Sequence, residues 1–184
     1  MTGTARFIVL EGGDGVGKTT QIALLSAWFD AIGLPHVSTR EPGGTPVGEA
    51  IRALVLGRRD LDMPPESELL LILAARAAFI RDVVRPALDA GTTVLADRFS
   101  LSTLAYQGHG RGLDLDQVRS GIDISTGGLS PDLCLVLDLP ASEGEQRQAK
   151  DGAEPDRIEL AGSGFRQAVR DGYLSLAASE PGVE

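Results

Sequence analysis

The sequence is short of cysteine, of long apolar runs and of positive charge. Its one cysteine, Cys134, excludes an intramolecular disulfide. It lies in the apolar run LCLVL and reads as a buried strand residue in a reducing compartment. No apolar run reaches the roughly 20 residues of a membrane-spanning helix, and Met1 to Arg6 lacks the apolar segment of a signal peptide. With 17 Lys and Arg against 26 Asp and Glu, the net charge is −9, which argues against a nucleic-acid partner. Any anion site must then be a local cluster of cations. Internal repeats and low-complexity tracts are missing as well. A chain of 184 residues, 42% of them hydrophobic, is expected to form one domain with a real core, residing in the cytoplasm with no membrane partner.

What is present is concentrated first in Phe7 to Thr20, FIVLEGGDGVGKTT. Gly12, Gly17, Lys18 and Thr19 fit G-x-x-x-x-G-K-[ST] in full. Glycines let the backbone wrap so that successive N–H groups converge on an anion. Lys18 can reach the β- and γ-phosphates of a nucleoside triphosphate, and the Thr19 hydroxyl can ligate Mg²⁺. An apolar run precedes the loop. Ile22, Leu25, Phe29 and Ile32 follow it at helical spacing until Gly33 and Pro35, so the positive end of a helix faces the same phosphates.

Strand-like and helical stretches then alternate, which predicts βα units around a central parallel sheet. His36 to Arg40 is a second strand ending in the loop Glu41-Pro42-Gly43-Gly44-Thr45-Pro46, and Val47 to Leu56 a short helix. Beyond the linker Gly57 to Pro65, Ser67 can cap a long apolar helix through Ile80, kinked or ended by Pro86 near Leu88. Thr92 to Arg98 is a buried strand that delivers Asp97 and Arg98 to the carboxyl edge, where open parallel sheets bind ligands. Phe99 to Gln107 is helical and Gly108 to Gly112 a turn. Asp114 caps a helix to about Thr126, and Leu133 to Leu139 is a further strand. Ala141 to Glu154 is too polar for core, and Ile158 to Ala178 is a last amphipathic helix, with Phe165, Val169, Tyr173, Leu174 and Leu176 available to pack. No candidate for another strand is evident at Pro181 to Glu184.

Three classes use such a phosphate loop. A switch GTPase needs N-K-x-D to read guanine, and the sequence has none. A motor ATPase ends its second acidic strand in Asp-Glu, whereas this strand ends in Asp97-Arg98. An arginine there attracts a second anion, which suits phosphoryl transfer to a phosphorylated acceptor. Basic residues at predicted strand ends and loops are Arg40, Arg76, Arg98, Arg147, Lys150 and Arg157. Arg76 interrupts an apolar helix, so its charge must be paired or face a cavity.

The chain resembles the bacterial thymidylate kinases, a P-loop nucleoside monophosphate kinase family. The resemblance rests on Glu11 to Thr20, Arg40-Glu41-Pro42-Gly43-Gly44-Thr45, Ala74-Ala75-Arg76 and Asp97-Arg98. Ser102 to Gly108, Asp156-Arg157-Ile158-Glu159 and Gly172-Tyr173-Leu174 extend it over almost the whole chain. It implies a three-layer α/β domain spanning 1–184 with a lid at about 141–157. It further implies conversion of dTMP to dTDP with ATP and Mg²⁺, and a homodimer built on long helices. The family's strand and helix beyond Pro181 are not evident. Other acceptors, or a silent nucleotide-binding protein, are the competing readings.

The resemblance also implies roles. Gly12, Gly13, Asp14, Gly15, Val16, Gly17, Lys18, Thr19 and Thr20 cradle the ATP phosphates, with Arg147 and Lys150 from the lid. Asp14 lies near the acceptor's 3′-hydroxyl. Arg76 and Arg98 hold the acceptor phosphate, with Arg40 and Pro42 beside it. Thr103 and Gln107 meet the pyrimidine, Tyr106 packs on the deoxyribose, and Ile72 covers the ring where the family usually has phenylalanine. Asp97 joins Thr19 at Mg²⁺. Lys18, Asp14, Arg98 and Arg157 are the catalytic set. Because Gly15 offers no side chain inside the loop, the catalytic cation must come from the lid.

Overall fold

Four short runs of apolar and β-branched residues form the sheet. The computed structural model describes residues 5–152 and 155–184. Strands β1 (Phe7–Glu11), β2 (His36–Arg40), β3 (Thr93–Asp97) and β4 (Leu133–Val136) are parallel in the order β2-β3-β1-β4. The register sets Leu10 and Arg40 on either side of Asp97, and Glu11 beside Val136. Both faces are covered, as parallel sheets require. Leu10 and Leu95 meet Ile22 and Phe29 of α1 (Lys18–Ala31) on one face. Phe7, Val9, Val94 and Ala96 pack with Phe79, Val84 and Phe99 on the other. Ile32, expected in the α1 stripe, is 56% exposed, because α1 has already ended at Ala31.

Helix α2 (Pro46–Arg52) starts where the Thr45 hydroxyl accepts from Gly48 N–H at 2.9 Å, and it continues as a π turn over Ala53–Gly57. The long apolar helix α3 (Pro65–Phe79) begins at a proline, whose missing N–H costs nothing in a first turn. Ser67 therefore lies inside the helix rather than capping it. A π turn at Ile80–Val84 leads into α4 (Arg85–Asp89), with Pro86 again in a first turn.

After β3, α5 (Ser100–Thr103) runs on as a π helix over Leu104–Gly110, so the expected turn at Gly108 starts later. Its glycines serve close packing. A methyl group on Gly108 would lie 2.4 Å from Leu115, and one on Gly110 would lie 2.6 Å from the Phe165 ring. Helix α6 (Leu115–Thr126) is capped by Asp114, which accepts from Gln117 N–H at 3.0 Å. The polar stretch forms α7 (Ala141–Asp151); residues 153 and 154 of the expected lid lie outside the described residues. The last helix, α8 (Ser163–Ser179), starts later than its periodicity predicts, after a 3₁₀ turn at Glu159–Ala161 and a break at Gly162. Val169, Tyr173 and Leu176 are buried, whereas Leu174 is 42% exposed on the outer side.

The segment after α8 returns to the sheet. Cys134 N–H donates to Gly182 O at 3.1 Å, and Glu184 N–H to Cys134 O at 2.9 Å, placing Val183 parallel to β4. Cys134 is buried there, and burial pushes its thiol up to about 12, an inert group. Among the described residues, no helix is long and apolar enough to cross a membrane.

Candidate active site

Two of the cavities at the carboxyl edge of the sheet meet. The first, about 1260 Å³ including its open mouth, is the phosphate loop with Lys18, Thr19, Thr20, Arg40, Asp97, Arg98, Arg147 and Lys150 around it. The second, about 740 Å³ on the same measure, is more apolar and holds Pro42, Ile72, Arg76, Thr103, Tyr106 and Gln107. Asp14, Glu41, Arg52 and Arg98 line both.

The phosphate loop ends in Gly17, whose φ of 98° only glycine adopts readily, and which leaves the first turn of α1 without a side-chain cap. Gly17, Lys18, Thr19 and Thr20 of that turn line the cavity, where uncapped helix N–H groups favour an anion. Lys18 folds back onto the carbonyls of Gly12 and Gly13 at 3.1 and 2.7 Å. Burial and the Arg98 charge push its pKa down to about 8, so an arriving anion would restore full protonation. Gly15 touches the backbone of Gly144 in α7, where a methyl group would lie 2.4 Å from Gly144 O. No side chain fits between the loop and α7, and Arg147 and Lys150 of that helix line the phosphate cavity.

Arg98 is the junction. It has φ 72°, a left-handed conformation strained for a non-glycine residue. Its guanidinium donates to Asp14 Oδ1 at 2.5 Å, Tyr106 OH at 3.0 Å, Gly12 O at 2.9 Å, Ser102 Oγ at 3.2 Å and Tyr173 OH at 3.0 Å. Below it the buried Glu11 carboxylate accepts from Phe99 N–H, Ser102 N–H and Tyr173 OH at 2.7, 3.1 and 3.0 Å. That carboxylate fixes the turn that aims Arg98. Burial raises the pKa of Asp14, but Arg98, Lys18 and the Tyr106 hydroxyl outweigh it and hold the carboxyl below its usual range. Tyr106 donates to Asp14 at 2.7 Å, and burial keeps its phenol un-ionised.

Arg76 is paired and faces a cavity, as its place in an apolar helix requires. It is 1% exposed, meets Glu41 Oε2 through Nη2 at 2.7 Å, and donates to Phe99 O at 2.9 Å. Its Nη1, Glu41 Oε1 and Thr103 Oγ1 are buried and unpartnered among the described atoms. Each such atom costs about 1–3 kcal/mol, so this cavity is built for a polar ligand. Gln107 donates through Nε2 to Glu68 at 2.8 Å.

Arg157 departs from expectation. It donates to Val55 O at 2.7 Å and pairs with the buried Glu68, so it lines neither cavity. Glu68 draws it inward because a fully buried carboxylate needs cationic partners. Glu11, Glu41, Arg52, Glu68 and Ser102 carry no functional expectation in the sequence, and Tyr173 reads there only as a packing residue. A carboxylate at the end of FIVLE, and another two helical turns before Arg76, were the available signals.

A family model described as thymidylate kinase matches residues 10–183. The chain is 50% identical to a thymidylate kinase of Deinococcus radiodurans over 95% of this chain and 84% of that one. It is 48% identical to a thymidylate kinase of Pelotomaculum thermopropionicum over 96% and 82%. Among solved structures, the thymidylate kinase of Ehrlichia chaffeensis superposes with a TM-score of 0.80 at 31% identity, covering 99% of this chain and 86% of that one.

Proposed function

The chain belongs to the thymidylate kinase family, and from that membership and its two joined cavities we infer that it transfers the γ-phosphoryl group of ATP to the phosphate of dTMP. The observation that carries the reading is the sharing of Asp14 and Arg98 between a phosphate loop and an apolar cavity. An acceptor phosphate held at Arg98 lies next to the triphosphate, where positioning alone removes much of the barrier. Its oxygen attacks the γ-phosphorus as the bond to the β-phosphate oxygen breaks, giving dTDP and ADP. The attacking oxygen is already anionic, so no general base is required.

Lys18 and the loop amides neutralise the triphosphate, and Arg147 and Lys150 face the group in flight. The lid contribution is assigned to those two rather than to Arg157. Arg76, Thr103 and Gln107 supply polar groups to the acceptor, Ile72 covers its ring, and Tyr106 closes on the sugar. Thr19 and Asp97 fit Mg²⁺. Thr19 donates to Asp97 Oδ2 at 3.3 Å, while Asp97 Oδ1 is buried without a partner among the described atoms. No cluster of three or more His, Cys, Asp or Glu suits a metal among the described residues, so the nucleotide's phosphates would complete the shell. The ion would supply neutralisation of charge between the β- and γ-phosphates.

ADP release in a coupled assay, with dTMP, dUMP, dCMP and thymidine offered in parallel, tests this. Turnover confined mainly to dTMP is expected. Turnover of thymidine would indicate a nucleoside kinase, and ATP binding with no turnover a silent binding protein.

The same reading includes a cytoplasmic homodimer. Helices α3 and α6 pack side by side, with Gly121 against Leu73, and expose Leu70 and Ile124 at 66% and 84%. A second copy covering this face would remove the exposure. Ile124→Glu is expected to halve the mass seen by light scattering; an unchanged mass would reject this interface.

A further inference from the structure

We propose that Glu68 is a positioning residue for acceptor specificity, holding the Gln107 amide so that its carbonyl oxygen is what the cavity offers to the base. This rests on the reading of that cavity as the dTMP site.

Glu68 is 0% exposed and its two oxygens are fully engaged. Oε1 accepts from Gln107 Nε2 at 2.8 Å and from Arg111 Nε at 3.2 Å. Oε2 accepts from Arg111 Nη2 at 3.0 Å and from Arg157. An ionised carboxylate only accepts, so the NH₂ end of Gln107 must face it, and the amide cannot reverse. Gln107 is itself 1% exposed and lines the cavity, so its oxygen is the end left for a ligand. The pairing edge of thymine carries one donor, N3–H, and a carbonyl in the cavity can match only that. Cytosine has its donor at N4 and a lone pair at N3, so a carbonyl held fixed at the N3 position meets an acceptor, with no water to separate the two.

Two guanidinium groups secure this orientation. Arg111 and Arg157 supply the positive charge that keeps Glu68 ionised while buried. If Glu68 becomes glutamine, only one acceptor oxygen remains. The two charged donors at the Oε2 position claim it, since charge-assisted bonds are the stronger ones. The new NH₂ then faces Gln107, which reverses and turns its own NH₂ to the base.

The test is kcat/KM for dTMP, dUMP and dCMP with wild-type protein, Glu68→Gln, Gln107→Leu and the double variant. Glu68→Gln is expected to shrink the preference for dTMP over dCMP by about tenfold or more. The dTMP/dUMP ratio should hold, because both bases carry N3–H. Gln107→Leu should shrink the same preference, and adding Glu68→Gln to it should change nothing further. If Glu68→Gln slows all three acceptors equally, Glu68 is only structural and the proposal is overturned. A wild-type protein without preference for dTMP over dCMP overturns the functional reading itself. Should Glu68→Gln fail to fold, the charge-balanced Glu68→Gln/Arg111→Gln pair reads the same ratio, since Arg157 still claims the remaining oxygen.

Discussion

Arg98→Ala is expected to lower kcat/KM for dTMP by about 10³-fold, close to 4 kcal/mol of transition-state stabilisation. The magnitude follows from where the guanidinium sits. It lines both cavities and is the cation nearest Asp14 at their junction, so its removal leaves the acceptor phosphate without a fixed partner beside the triphosphate. Arg98→Lys recovers only part of the loss. A lysine keeps the charge but cannot donate at once to Asp14, Tyr106, Gly12 and Tyr173 as the planar fork does.

A third variant separates chemistry from stability. Arg98 has φ 72°, a conformation costing roughly 1–3 kcal/mol in a residue with a side chain. Arg98→Gly should therefore be as inactive as Arg98→Ala yet melt at a higher temperature. Steady-state rates and thermal melts on the three proteins check both halves. Equal melting temperatures for alanine and glycine would show that the left-handed backbone at position 98 stores no strain.

Local patterns made much of this site legible. The loop through Thr19 is a contiguous chemical signal, and Asp97-Arg98 lies at the end of an apolar run that could only be a strand. Arg76 was conspicuous because a charge inside an apolar helix needs a reason. Residues whose partners are remote in sequence were not legible. Glu68 and Arg157 lie 89 positions apart, and nothing near Arg157 distinguishes a cation facing the phosphates from one paired with a buried carboxylate. Gly108 and Gly110 read locally as a turn, because the Leu115 and Phe165 side chains that require them belong to other elements. Helical spacing gave one usable hint. Glu68, Ile72 and Arg76 lie four residues apart on one face of α3, a stripe with an acid at one end and a base at the other.

That stripe's basic end gives the second large effect. Glu41→Gln is expected to cost about 3–5 kcal/mol of stability, because it leaves Arg76 buried without its counter-ion. For a chain of this size that is a fall in Tm of roughly 10 °C. Burial pushes the Glu41 carboxyl up and the Arg76 guanidinium pulls it back, so the pair is held together by the charge the substitution removes. The KM for dTMP should rise more than kcat falls, since Arg76 lines the cavity proposed for the acceptor and not the phosphate loop. The double variant Glu41→Gln/Arg76→Met distinguishes the two consequences. Removing both charges restores most of the lost stability, as replacing buried ion pairs by neutral groups commonly does. It is not expected to restore acceptor binding, because the unpartnered Arg76 Nη1 has gone with the side chain. Thermal melts and a KM-against-kcat comparison for dTMP decide the matter. A double variant that recovers both would mean that Arg76 stabilises the fold alone and takes no part in holding the acceptor.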